Sequence, residues 1–435
     1  MDNWKNIFEN QSFFYVTPDL KRGLGLECIL PNYHIICSYD DPLIPVLRNQ
    51  GANIFCLNEE GISNNNLFSN SGKLLENKEV VNFIKKKSKG VPNILLFKPS
   101  VKTELICEKM NYRLLVNRSR LNRQFENKIS FHEVIAKHFP LNTLPSIVGL
   151  LKNLRFISLV RQFKLPFIIQ FSLGWAGKTT FLIQEEDEYN RLVNRFPDTP
   201  VKVSKYVQGY TVLNNACIYR RDILISPPAY QLSGFSELCS SPFVTCGRQW
   251  PVKFLTSEIR NVIYDLTVKV GKIMAIEGYM GYFGLDFIID ENTGNVYISE
   301  NNARFTASAA FWTRMEIGKN VTPLIIYHLA QFTGIDIESK YNIEDNISAS
   351  QIILRDKNIQ QEELKRVDFG VFAQINNNWK MIKSEYKPEK LSMDEIIYMK
   401  RIKTSSGDSE ISRIETKKEV VKSSKKLQDW VREIL

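Results

Sequence analysis

Residues 281–304 read GYFGLDFIIDENTGNVYISENNAR. Gly284-Leu285-Asp286-Phe287-Ile288-Ile289-Asp290 has the β-branched and aromatic content of a strand entered through glycines. Glu291-Asn292-Thr293-Gly294-Asn295 supplies turn chemistry, and Val296-Tyr297-Ile298-Ser299-Glu300 reads as the returning strand. A hairpin closed at this turn brings Asp286 and Glu300 close together on adjacent strands. Asp286 sits among Leu285, Phe287 and Ile288, where a bare charge is costly unless a cation compensates it. Two carboxylates and the amide oxygen of Asn302 form a hard oxygen set, of the kind magnesium takes when nucleotide phosphates supply the rest. The same residues also suit a plain hairpin with a solvated acidic rim, so the rest of the chain has to decide.

A chain of 435 residues is too long for one ordinary core and predicts two or three domains. Its 43% apolar and 24% charged residues fit a globular protein. The formal charge of +10 favours anionic partners, and charge alone does not choose among nucleotides, nucleic acid and an anionic surface. Lysines are mixed with acids, especially after Lys380, and no aromatic-and-basic stripe stands out; nucleic acid is therefore not the expected partner. The opening MDNWKNIFEN is not a secretory signal, and no run approaches the roughly eighteen apolar residues of a membrane span. Seven cysteines without CxxC pairing read as mostly buried thiols in a reducing cytoplasm. His34, His132, His138 and His328 are too scattered for a zinc site or a histidine-based triad.

Short apolar strands are expected at 12–17, 33–37, 52–57 and 92–98, with a helix opened by Asp40-Asp41-Pro42 that buries Ile44, Val46 and Leu47 and holds Pro45 in its first turn. Strands separated by helical segments indicate an α/β layer with a mainly parallel sheet. The glycine loop at 21–25 lacks the full dinucleotide fingerprint, and residues 61–73 read as an exposed loop. Lys128 precedes the helical HEVIAKHF stretch, and its spacing alone makes it a solvated helix-end lysine. Leucine spacing over 141–164 is helix-like.

The segment LPFIIQ at 165–170 is a strand, FSLGWAGKTT follows at 171–180, and 181–183 are apolar again. Gly177-Lys178-Thr179 invites a P-loop reading. That loop wants glycine where Ser172 stands and a helix directly after the lysine, whereas Thr179, Thr180, Phe181 and Ile183 favour a strand. A strand–glycine loop–strand unit is either an ordinary hairpin or a flap whose N–H groups and Lys178 close over phosphates. Strands are further expected at 211–219 and 221–225. Ile259, Ile263, Leu266 and Val270 predict a helix over 257–277 that backs the acidic hairpin, and another is expected from 323 to 334.

In their order along the chain these motifs resemble the ATP-grasp enzymes over roughly residues 121–335. The D…E-x-N-x-R arrangement of Asp286, Glu300, Asn302 and Arg304 looks like their metal-binding end. The resemblance implies two α+β lobes holding MgATP between them. Lys128 would lie against the phosphates, Gly174, Gly177 and Lys178 would belong to the lid, and Ser204 to Gly209 would form the linker where the backbone of Lys205 and Val207 meets the purine. Asp286, Glu300 and Asn302 would hold one or two magnesium ions, and Lys128, Lys178 and Arg304 would stabilise phosphoryl charge. The 227–251 stretch would be a specificity loop over the reacting carboxylate, with Arg248 as its anchor; read for itself it is an irregular surface loop, and Cys246 has no histidine near it in sequence.

This chain departs from the family at Gln170, where relatives usually carry a lysine, and at Ser204 and Thr211, where they often carry acids. Gln170 can donate a hydrogen bond but cannot neutralise a phosphate. The implied activity is an ADP-forming, magnesium-dependent ligase that activates a small carboxylate as an acyl phosphate for attack by an amine. A kinase or carboxylase-like enzyme and a nucleotide-binding scaffold are the alternatives. The expected fold is α/β and α+β multidomain. It comprises a Rossmann-like N-terminal layer (1–120), a two-lobed ATP-grasp unit (121–335, lid about 150–210) and a small C-terminal α+β appendage (336–435). That appendage, with a lysine-rich helix over 417–435, packs on the catalytic unit or makes a homodimer contact.

Overall fold

The computed structural model describes residues 4–61, 70–174, 179–343, 347–355, 357–376, 378–401 and 410–435. At the N-terminus, Asn53–Cys56, Tyr33–Cys37, Phe13–Val16, Asn93–Leu96 and Arg113–Leu114 lie side by side in that order, all parallel. Alternation along these buried strands divides the side chains between two faces. Phe13, Tyr15 and Ile35 enter one core, while Phe14, Val16, Ile36, Ile94 and Leu96 enter another. Helix Leu43–Asn49 follows Pro42 with Pro45 in its first turn, where a missing N–H does no harm. Part of the stretch read as an exposed loop is instead helix Ser71–Glu76, capped by the Asn70 side chain; residues 62–69 lie outside the described ones.

A four-stranded antiparallel sheet, within the span expected to form the lid, runs in the order Ser146–Leu150, Pro200–Lys205, Phe167–Phe171, Thr180–Ile183. Helices Phe156–Phe163 and Glu186–Arg195 cover one side, where Leu159, Phe163, Tyr189 and Leu192 meet Val201, Val203, Phe167 and Ile169. The expected helix-like texture over 141–164 is therefore corrected. Its first half is the edge strand Ser146–Leu150, and only Phe156–Phe163 is helical. A strand, not a helix, follows the glycine loop, which rules out the P-loop reading.

The second lobe is built on an antiparallel sheet. Its path runs Val296–Asn302, Gly281–Asp290, Gly209–Tyr219, Ala229–Ser233, Thr245–Trp250, Ala349–Leu354, Ser412–Thr416, Glu395–Lys400, Phe369–Ile375, Asn378–Lys383, and Asp222–Ile225 pairs beside it. Helix Ser257–Ile276 packs Ile263, Leu266, Val270 and Met274 against one face of this sheet. Two expectations are corrected here. Residues 227–251 are not an irregular surface loop but contribute two strands of the sheet. The lysine-rich terminal helix shrinks to Asp429–Ile434, because Val420, Val421 and Leu427 are buried in the sheet's core and 421–427 form a small hairpin. No helix among the described residues is long and apolar enough to cross a membrane, and six of the seven cysteines are buried, all as free thiols.

Candidate active site

The acidic hairpin closes in the register its turn chemistry requires, with Gly294 in the left-handed region at φ 71°. Asp286 pairs directly with Glu300 and Gly284 with Asn302. A bulge after Asp286 leaves Ser299 as the extra residue. Leu285, Phe287, Ile289 and Ile298 point into the core shared with helix Ser257–Ile276, so Asp286, Glu300 and Asn302 share the opposite face. Burial, and then the charge of Glu300, push the Asp286 carboxyl up to about 7, against the pull of Lys128, Arg304 and Arg248.

Lys128 reaches this face from helix Lys128–His138, whose first turn is capped by Asn127 Oδ1 accepting from the N–H groups of Ile129 and Ser130. Its own N–H donates to the Ser172 carbonyl (2.9 Å), which ties the helix to the foot of the flap. Only 8% exposed, its ammonium forms an ion pair with Glu300 Oε2. The reading of Lys128 as a solvated helix-end lysine is thus overturned: the helix start is buried against the hairpin.

Arg304 is held on three sides. Its Nε donates to Glu126 Oε1 (2.9 Å), one terminal nitrogen donates to Asn302 Oδ1 (2.9 Å), and its guanidinium lies 4.7 Å over the Phe97 ring. Arg22, from the turn that begins the 21–25 glycine loop, covers the same ring at 4.2 Å. Glu126 also meets Lys98 (3.0 Å); burial pushes its carboxyl up, but Arg304 and Lys98 hold it below the ordinary carboxylate range.

Arg248 lies on strand Thr245–Trp250, not on a loop, and is 3% exposed. Tracing the register from Asp286 through Leu213, Ala229 and Gln231 puts Arg248 on the same sheet face, three strands away. One terminal nitrogen donates to Gln351 Oε1 (2.6 Å), Gln351 donates to Glu415 (2.7 Å), and the Tyr386 hydroxyl donates to the other Glu415 oxygen (3.0 Å). The Nε of Arg248 is buried without a partner among the described residues. Burial, with Arg413 and Arg22 nearby, lowers the guanidinium to about 9, and Asp286 opposes this.

On the lid, Gln170 donates to Thr180 Oγ1 (3.4 Å) and pairs in register with Lys202. A Cβ on Gly174 would run into the Thr179 side chain, so that position suits glycine. Gly177 and Lys178 lie outside the described residues. Ser204 is buried on the cleft side of Pro200–Lys205, and the Lys205 N–H donates to the Pro145 carbonyl (3.1 Å). Val207 follows that strand, in the short turn before Gly209–Tyr219.

Sequence reasoning missed Glu126, Lys98 and Lys202. Val201-Lys202-Val203-Ser204 alternates strictly, and that pattern alone places Lys202 on the cleft face beside Ser204. Glu126 carried no signal, since only the folded chain brings it to Arg304 across 178 residues.

Among the described residues no cluster of three histidine, cysteine or acidic side chains could hold a metal by itself. Asp286, Glu300 and Asn302 fit a hard cation that brings further oxygens with its ligand, and the crowded Asp286 carboxyl is the group such a cation would relieve. Lys128 engages Glu300 and Arg304 engages the Asn302 oxygen.

Neither a family model nor a curated protein matches this sequence. Solved structures do match. The biotin carboxylase domain of Hydrogenobacter thermophilus 2-oxoglutarate carboxylase, a dimer with MgADP, ADP and bicarbonate, aligns at a TM-score of 0.61 and 15% identity, over 93% of this chain and 86% of that one. Staphylococcus aureus N5-carboxyaminoimidazole synthetase with ADP aligns at 0.58 and 14%, over 97% and 94%. Campylobacter jejuni biotin carboxylase with an ATP analogue aligns at 0.60 and 15%, over 93% and 87%. Likeness at this identity, along nearly the whole length of each chain, shows the fold alone: the architecture is that of an ATP-grasp fold.

Proposed function

We propose that the chain is an ADP-forming, magnesium-dependent ligase that activates a small carboxylate with ATP and passes it to an amine. The observation that carries this reading is the direct register pairing of Asp286 with Glu300, on a face that also receives Lys128 and Arg304. ATP supplies the phosphoryl group, and magnesium held by Asp286, Glu300 and Asn302 offsets the charge of its phosphates. The chain's own part is positioning and charge. Lys128 leaves Glu300 for the phosphates, Arg304 is aimed by Glu126 at the group in transfer, and the lid excludes water. The Lys205 carbonyl and the Val207 N–H are the backbone groups for the purine edge. Arg248, fixed by Gln351 and with its Nε unanswered, seats the substrate carboxylate.

The structural neighbours named as carboxylases favour a second reading, in which bicarbonate takes the place of the organic acid. Both readings are tested by measuring ADP release from MgATP against a panel of carboxylates and amines, with and without bicarbonate. Glu300→Gln is expected to lose magnesium-dependent ADP formation by roughly a hundredfold or more while its melting temperature holds. Unchanged turnover in that variant would contradict the site. An absolute need for bicarbonate selects the carboxylase reading, and nucleotide binding without turnover across the panel leaves a scaffold.

A further inference from the structure

Lys202 carries a charge that no hydrogen bond or ion pair answers among the described residues. Val201 and Val203 enter the lid core, so Lys202 faces the cleft, where it is 4% exposed. Nearby stand the Lys128 ammonium, the His132 ring and Glu300, whose carboxylate is already engaged by Lys128. Burial, and then Lys128, bring Lys202 down to about 8, with Glu300 opposing. A buried cation beside a second cation is unfavourable until an anion arrives. Its register partner is Gln170, the position at which this chain lacks a charge. Register partners of an antiparallel pair hold their Cβ atoms about 5 Å apart on one face, within the reach of a lysine side chain.

We propose that Lys202 binds the polyphosphate of the nucleotide, supplying from the neighbouring strand the positive charge that Gln170 cannot provide. The ligand class is a nucleoside di- or triphosphate, and the inference rests on the nucleotide-binding reading above.

The test is calorimetric titration of MgADP and of adenosine into the wild type, Lys202→Gln and the exchange variant Q170K/K202Q. K202Q is expected to weaken MgADP at least tenfold while adenosine stays within twofold, and the exchange variant is expected to recover most of the loss. The unliganded K202Q should melt no lower than the wild type, because a buried like-charge contact is gone; a lysine needed only for packing would lower it. Lys202→Met replaces K202Q if the latter does not fold. Unaltered MgADP affinity in K202Q overturns the proposal, as does an equal loss for adenosine or an exchange variant without recovery. A wild type that binds neither probe overturns the nucleotide reading itself, which the first titration alone reveals.

Discussion

Lys128 pairs with one oxygen of Glu300 and Arg304 donates to the Asn302 oxygen, so two cations hold the acidic face together. The sequence made the acidic residues legible because a hairpin with an unambiguous turn allows one register, and that register faces both carboxylates the same way. It did not show that Lys128 meets Glu300 from 172 residues away, or that Glu126 fixes Arg304 from 178. Glu316 is another buried acid with no sequence signal. Its Oε1 accepts from the Leu324 N–H (3.2 Å) and the Tyr341 hydroxyl (2.8 Å), while Oε2 is buried without a partner among the described residues. Burial raises this carboxyl from 4.5 to about 8. Between those values the folded chain keeps a proton that the unfolded chain has lost, so stability falls as pH rises through that window. Glu316→Gln mimics the protonated form. At pH 8 it is expected to be more stable than the wild type by on the order of a few kcal/mol, a difference that fades toward pH 4.5. Melting curves across that range check this, and parallel curves would refute it.

At the scale of elements, short apolar runs were the most dependable guide. Four of the parallel strands, Phe167–Phe171, Thr180–Ile183 and the acidic hairpin appear close to where apolar runs placed them, whereas Ser146–Leu150 lies in a stretch that reads as helix-like. Failures came where polar residues interrupt a strand. The 227–251 stretch reads as a loop because Gly234, Pro242 and Gly247 punctuate it, yet it forms two central strands that pair with a bulge between Leu232 and Ser233. The 417–435 stretch is lysine-rich but buries Val420, Val421 and Leu427, and those contacts override its helix preference. Gly247 marks the consequence. It sits at φ 142°, and a Cβ there would collide with the Gln351 carbonyl of the adjoining strand. Gly247→Ala is expected to cost roughly 2–4 kcal/mol of stability by chemical denaturation, through strain and collision together. A loss within about 0.5 kcal/mol would show the strand to be far more yielding than its packing implies.

The whole molecule is less divisible than its sequence. One core joins Phe13, Tyr15 and Ile35 of the N-terminal sheet to Tyr282 and Phe305 near the acidic hairpin and to Val371, Ile397 and Met399 from the last hundred residues. Composition could not reveal this, because a change of texture at residue 336 looks like a boundary whether or not the strands on its two sides pair. They do pair, along Gly247–Ile352, Arg248–Gln351, Gln249–Ser350 and Trp250–Ala349. A chain cut after residue 335 would bare the flank of Thr245–Trp250 and unroof Trp250, inviting the same flank of a second molecule to stack against it. Expression of residues 1–335 should therefore give inclusion bodies, and a soluble, monodisperse fragment by light scattering would contradict this. The tail is a stopper for the sheet as much as a support for Arg248, and whoever shortens this protein at residue 335 should expect to trade a folded chain for a precipitate.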